Sequence, residues 1–430
     1  MIPLESYLLA SNLSDFTASV IDSMRWIDAL LPLSTLICIY SLHKRKNRGA
    51  EAFGRERGAY ALRIKQYALT TLAAFLLSVI LIFAKGGPEK AFNNLDNANM
   101  YTCKVPMYTI FGNLIHEANQ QKMVFTPKIK AEIDNWMKHQ PAYQPLADSI
   151  ARKKTLVVIF CESLESWAIN RKVEGKEITP NLNRYIADSH TLYAPHVLTQ
   201  VKGGRSIDGQ LLVSTGLLPL MSGCYAMQFP FTHYPSLVKA MKEEHPDLSS
   251  YLMTVDKPIT WNQSVVAENF GISQMFFNDQ WVNDEKVGIL LDYLKSRPDY
   301  KDMMIVIIGD HEGLAADRKP ICESPAAKGI VSDKQFTPFI VVNAPVGGIY
   351  NKVMGQVDQY PTILNLMHLD HYKWKGMGQS IFDPRKYPAA VGSDNMNVET
   401  TGNVPEKEIK RLTQAHRISD FLIRYDKIIK

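Results

Sequence analysis

The stretch Met304-Ile-Val-Ile-Ile-Gly-Asp-His-Glu-Gly313 constrains the fold more than any other part of the chain. Ile305–Ile308 are apolar and mostly β-branched, and read as a buried parallel strand. Gly309 breaks the run and leaves Asp310 and His311 at its carboxyl end. That end of an open α/β sheet is where ligands bind. An adjacent Asp and His there supply one oxygen and one nitrogen ligand to a divalent metal. A strand followed by a polar turn is the competing reading, because short motifs have many false positives. The rest of the chain has to decide between them.

At 430 residues, with 46% hydrophobic and 21% charged residues, the chain is foldable and long enough for two or three domains. A net charge of +5 is small for this length and argues little for nucleic acid, so no nucleic-acid partner is expected. There is no zinc-finger cysteine spacing, Walker loop or dinucleotide glycine fingerprint. The five cysteines are scattered and never paired as CxxC; Cys38 and Cys161 read as packed small hydrophobes.

Residues 26–42 and 67–84 are the two longest apolar runs. The second is uncharged and close to the ~20 residues that span a bilayer. The first is shorter and carries Asp28 and Pro32. The loop between them holds His43, Lys44, Arg45, Lys46, Arg48, Arg55, Arg57, Arg63 and Lys65 against only Glu51 and Glu56. The positive-inside rule puts that loop in the cytoplasm and everything after Lys85 outside the cytoplasmic membrane. The expected organisation is a membrane region over 1–85 with two transmembrane helices and a helical connector over 86–150. A catalytic domain over 151–392 and a C-terminal tail and helix over 393–430 complete it. That last helix, Glu406–Lys427, is amphipathic and expected to dock on the domain or the membrane surface.

Thr155–Cys161 is a second buried strand, with Glu162 at its carboxyl end as a candidate metal ligand. Acidic residues near a helix N-terminus are the alternative. In Thr179-Pro-Asn-Leu-Asn183, Thr179 is an N-cap candidate and Pro180 takes the first helical position. Lys202-Gly-Gly-Arg-Ser-Ile-Asp208 follows, with glycines that let the backbone approach a ligand. Ser206 is expected to open a helix whose N–H groups favour an anion. Its hydroxyl is a nucleophile if a metal lowers its pKa, and otherwise an ordinary cap serine. Asp317, Arg318 and Lys319 read as a solvated charge cluster.

In order, strand-Glu162, TPNLN, GGRS and GDHEG are followed by Thr337-Pro-Phe-Ile-Val-Val-Asn-Ala-Pro345, Asp358-Gln-Tyr-Pro-Thr-Ile-Leu-Asn-Leu366 and Gly378-Gln-Ser-Ile-Phe382. Over about residues 150–392 this series resembles the alkaline phosphatase and sulfatase superfamily, and within it the membrane-anchored lipoteichoic acid synthase and phosphoglycerol transferase group. The resemblance implies a three-layer α/β domain after an N-terminal transmembrane helical hairpin. It implies one divalent metal ion, manganese first and magnesium or zinc as alternatives, held by Glu162, the Ser206 oxygen, Asp310 and His311. It also implies a ping-pong transfer of a phosphoglycerol-type headgroup through Ser206, with Arg205 sharing the negative charge of the transition state. The donor would be a phospholipid and the acceptor a glycan, glycolipid or glycerophosphate polymer. Serine stands where such members usually carry threonine, and the absence of cysteine there argues against a formylglycine sulfatase.

Asp256 and Thr260-Trp261-Asn262 match a family segment that contacts substrate. Trp261 packs against a glycerol or sugar unit on that reading, or is an ordinary core tryptophan. The chain departs from the group at Thr254, where the synthase carries histidine, and at Gln263, where it carries arginine. Between Phe277 and Asp310 the family's extra strand and its histidine-bearing loop are missing, and Glu285–Leu294 reads as a helix instead. The N-terminus also carries fewer spans than full-length members. The expected protein is therefore a membrane-anchored phosphotransferase. The alternatives are an ester hydrolase of the same fold and a catalytically impaired pseudoenzyme with a binding role.

Overall fold

A computed structural model describes residues 124–428, apart from Ser222, 256–259, 278–282, 315–317 and 393–396, and scattered positions between Leu69 and Ile80. Two compact units divide the chain, one over residues 1–95 and 102–122, the other over 96–101 and 123–430. In the first, the described positions from Leu69 to Ile80 are helical and exposed. No helix among the described residues is long and apolar enough to cross a membrane. The expected span at 26–42 lies outside the described residues, as does most of 67–84.

The second unit holds strands β1 (Thr155–Cys161), β2 (Lys172–Val173), β3 (Lys176–Glu177), β4 (Leu192–Leu198), β5 (Tyr251–Thr254) and β6 (Gln274–Phe277). They continue as β7 (Met303–Gly309), β8 (Phe336–Val342), β9 (Gly348–Ile349), β10 (Met354–Gly355), β11 (Ala389–Val391) and β12 (Val398–Thr400). The principal helices are α1 (Pro127–Lys138), α2 (Pro180–Ile186), α3 (Ser206–Thr215), α4 (Leu237–Glu244), α5 (Gln263–Asn269), α6 (Asp284–Ser296), α7 (Gln359–Leu366) and α8 (Glu406–Arg424).

The main sheet has the order β1-β7-β8-β4-β10, with β9 also beside β4. It is mixed: β1 and β7 are parallel, whereas β8 runs antiparallel to both β7 and β4. Pro195 lacks an N–H, and the β4–β8 ladder shifts register between Ala194 and Val197. Successive side chains of β7 point to opposite faces. Met304, Val306 and Ile308 join a core with Leu211 and Leu212 of α3 and Ile363 and Leu364 of α7. Ile305 and Ile307 join a second core with Leu182 and Tyr185 of α2 and Val287 and Leu291 of α6. Helices thus cover both faces of the sheet, which makes three layers.

Ile133 and Trp136 of α1 and Ala415, Ile418, Phe421 and Leu422 of α8 belong to the first core. The amphipathic C-terminal helix is therefore seated on the domain, and the Trp136 indole donates to the Arg411 carbonyl at 3.0 Å.

The TPNLN helix begins as its sequence predicts, with Thr179 at the cap position and Pro180 first in the helix, but the Thr179 side chain does not cap it. Its hydroxyl instead donates to the Ala168 carbonyl and to Asn183 Oδ1. Asp284, the first residue of α6, accepts from the N–H groups of Asn181 and Leu182, each at 3.1 Å. A carboxylate from a neighbouring helix does the capping, which also suits the positive end of the helix dipole. The helix expected over Glu285–Leu294 is present as α6, Asp284–Ser296.

Candidate metal centre and nucleophile

The parallel register of β1 and β7 pairs Cys161 with Gly309. The next residue of each strand, Glu162 and Asp310, therefore leaves the sheet at the same edge. Asp310 is buried, and its Oδ1 accepts from the Ser163 and His311 N–H groups, both at 2.9 Å. His311 Nε2 lies 3.1 Å from Glu162 Oε1 and 3.6 Å from Asp310 Oδ2. The ligand atoms of Glu162, Asp310 and His311 all lie within 4.8 Å of one another.

Ser206 is the first residue of α3, preceded by Arg205 at φ 51° and ψ −117°. Positive φ is uncommon for a residue with a side chain and signals backbone strain that its surroundings impose. The Ser206 hydroxyl donates to Glu162 Oε2 at 3.1 Å and stands 3.2 Å from His311 Nε2. Gly209, on the next turn, brings α3 against β7: a Cβ there would sit 2.6 Å from the Asp310 carbonyl oxygen. Glycine at this position lets α3, which carries Ser206, approach the strand that ends at Asp310 closely.

Arg205 is tied behind the site. Its guanidinium pairs with the Glu312 carboxylate and donates to the Glu312 carbonyl at 2.7 Å. Glu312 is buried, and its other carboxylate oxygen accepts from the Thr199 hydroxyl at 2.9 Å. His311 Nδ1 lies 2.8 Å from the Glu312 carbonyl and 3.0 Å from Arg205 Nη2. A proton on Nδ1 donates to the carbonyl and leaves the Nε2 lone pair facing Glu162, Asp310 and Ser206. This is how a metal-ligating histidine is usually oriented.

The charges at the site are coupled. The His311 hydrogen bond is the main cause that holds the Glu162 carboxyl down at about 2. Burial raises the Asp310 carboxyl. Burial also works against the His311 imidazolium, but the Glu162 hydrogen bond and the Asp310 charge more than offset it, so His311 titrates above its ordinary value. Two carboxylates, an imidazole nitrogen and a hydroxyl converging on one point fit a divalent cation.

The other candidate substrate residues sit differently. Asp256 lies outside the described residues. Trp261 and Asn262 both have left-handed backbones, at φ 53° and 50°. Trp261 packs against the first core, and the Asn262 amide donates to the Ala226 carbonyl at 2.9 Å. Gln263 is buried and donates to Gln210 Oε1 at 3.1 Å. Gln210 is four residues beyond Ser206 on α3, so this turn is fastened to the helix that carries Ser206.

Arg318 corrects the reading of 317–319 as a solvated cluster. It is buried with Glu165, and its guanidinium donates to that carboxylate at 2.8 and 3.0 Å. Glu165 Oε1 also accepts from the Gly313 and Leu314 N–H groups. The pair pins the loop after GDHEG to the loop after β1. Asp317 lies outside the described residues and Lys319 is exposed. The sequence reading passed over Glu312 and Glu165, although both stand within its own motifs, GDHEG and CESLES.

No protein-family model matches the chain. Lipoteichoic acid synthase of Staphylococcus aureus is 24% identical over 454 residues, an alignment covering 86% of this chain and 69% of that protein. The lipoteichoic acid synthase LtaP from Listeria monocytogenes superposes with a TM-score of 0.53 at 14% identity, covering 69% of this chain and 97% of that structure. An alkaline phosphatase superfamily protein from Vibrio parahaemolyticus gives 0.53 at 12% identity, covering 72% and 98%. The three-layer mixed-sheet domain thus shares its fold with these structures of the alkaline phosphatase superfamily, and its sequence is similar to that of lipoteichoic acid synthase. Both the sequence relative and one of these structures are lipoteichoic acid synthases.

Proposed function

We propose that the chain is a metal-dependent phosphotransferase. It moves a phosphoglycerol-type headgroup from a phospholipid to an alcohol acceptor at the outer face of the cytoplasmic membrane. The observation that carries this reading is the Ser206 hydroxyl, 3.1 Å from Glu162 and 3.2 Å from His311 at the mouth of the Glu162–Asp310–His311 group. A divalent cation held by these residues, manganese before magnesium or zinc, would lower the hydroxyl pKa and draw charge off the phosphoryl oxygens.

Glu162 is placed to take the Ser206 proton as Oγ attacks phosphorus. The bond from phosphorus to the diacylglycerol oxygen breaks, that oxygen takes the proton released by Ser206, and diacylglycerol leaves. A phosphoglycerol ester of Ser206 remains. An acceptor hydroxyl on a glycan, glycolipid or glycerophosphate chain then attacks the ester and restores the serine. Arg205 steadies His311 and adds positive charge beside the transition state. Trp261 and Asn262, with Asp256 by its place in the sequence, are the residues proposed to contact the headgroup.

A hydrolase built on the same site is the second reading. It uses the same serine and the same metal-ligand candidates, and differs in needing only water where transfer needs an alcohol acceptor. The test uses full-length protein, manganese and a headgroup-labelled phospholipid, with and without a glycolipid acceptor. Transfer predicts diacylglycerol release with label on the acceptor. Label released to water at the same rate with or without acceptor gives the hydrolase. Absence of both products in folded, metal-loaded protein rejects both readings.

A further inference from the structure

We infer that Asp208 is a positioning residue that shapes the nucleophile loop and aims Ser206; the inference rests on the reading of Ser206 as nucleophile. Asp208 sits in the first turn of α3 and is only 1% exposed. One of its oxygens, Oδ2, accepts from the N–H groups of Lys202 and Gly204, both at 2.9 Å. Its other oxygen, Oδ1, has no hydrogen-bond partner. A Cβ on Gly204 would lie 2.3 Å from that oxygen. The loop is thus folded down onto the carboxylate, and glycine at 204 leaves room for it.

This arrangement explains the backbone of Arg205. A non-glycine residue at φ 51° is strained and persists only where its surroundings over-determine it. Asp208 fixes the two residues on the N-terminal side, and Glu312 fixes the Arg205 guanidinium on the other. Ser206 is delivered between these two clamps. The charge of Asp208 also suits the N-terminus of α3. Lys202, whose side chain is buried nearby, supplies an opposing charge.

The test compares wild type, Asp208→Ala, Asp208→Asn and Gly204→Ala in the full chain with manganese and labelled phospholipid. A misplacement on the order of 1 Å costs about 100-fold in rate. Asp208→Ala is therefore expected to lower kcat about 100-fold with little change in KM. Asp208→Asn, whose amide oxygen still accepts both N–H bonds, should regain most of that loss. Gly204→Ala should match Asp208→Ala, and the double variant should be no worse than either single one, because both act on the same contact. Amide hydrogen exchange of residues 202–205 should quicken in Asp208→Ala while the strands of the main sheet keep their protection. Unchanged exchange in the loop overturns the inference even if the wild type proves inactive. An active wild type with Asp208→Ala within threefold in kcat, with equal losses in Ala and Asn, or with additive losses in the double variant also overturns it. An inactive wild type with quickened loop exchange rejects the transferase reading and leaves the loop-shaping role of Asp208 standing.

Discussion

Glu162 and Asp310 stand side by side because the residues before them, Cys161 and Gly309, are partners in a parallel ladder. One register choice thus brings the two candidate ligands together, and a one-residue slip would send one of the two carboxylates to the other face of the sheet.

Divalent binding follows from that pairing. Manganese titrated into metal-free protein should bind at one equivalent. Asp310→Asn should weaken binding by more than the about 10–100-fold that outer-shell changes cost. Calorimetry reads both. Equal affinity in the variant would place the cation elsewhere.

The strand ends were legible because β-branched runs announce buried strands and their next residues must face the carboxyl edge of the sheet. Thr155–Cys161 and Met303–Gly309 both behave this way. The helix opening at Ser206 was legible from the glycines before it. The partners were not. Arg318 reads as a surface charge until the fold lays it against Glu165, 153 residues away in sequence. Thr179 has the right chemistry for a cap, and Asp284 displaces it by bonding Asn181 from 103 residues downstream of that residue. Sequence patterns report each residue's own environment, and these pairings arise from tertiary contacts between distant segments. The expected membrane hairpin falls largely on residues outside those described.

The Glu165–Arg318 pair carries a stability prediction. Both side chains are only 2–3% exposed. Arg318→Met leaves the Glu165 carboxylate buried without its counter-ion, which costs about 3–5 kcal/mol. Urea denaturation should show that loss as a lower midpoint. A change under about 1 kcal/mol would mean that the hydrogen bonds from Gly313 and Leu314 satisfy Glu165 unaided.

His416 sets an acid limit. It is fully buried on α8, with Nε2 3.2 Å from the Val391 carbonyl. Burial, with the Lys202 charge behind it, pushes its pKa down to about 3 from an ordinary 6.5. The folded value is the lower one, so its contribution is complete above pH 6.5 and is lost as the pH falls toward 3. Unfolding free energy should decline through that window by up to about 1.4 kcal/mol per pH unit. His416→Gln retains a donor for Val391 and should flatten the decline. An unchanged slope in the variant would assign the acid sensitivity to other groups.

The most direct measurement is the mass of the peptide containing Ser206 after full-length protein is incubated with manganese and phospholipid, without acceptor, and quenched in acid. A glycerophosphoryl group is expected on Ser206, and it disappears when an alcohol acceptor is added before the quench. No adduct is expected on the same peptide in Ser206→Ala. Diacylglycerol release undiminished in Ser206→Ala, or an adduct on a different residue, rules out Ser206 as the nucleophile.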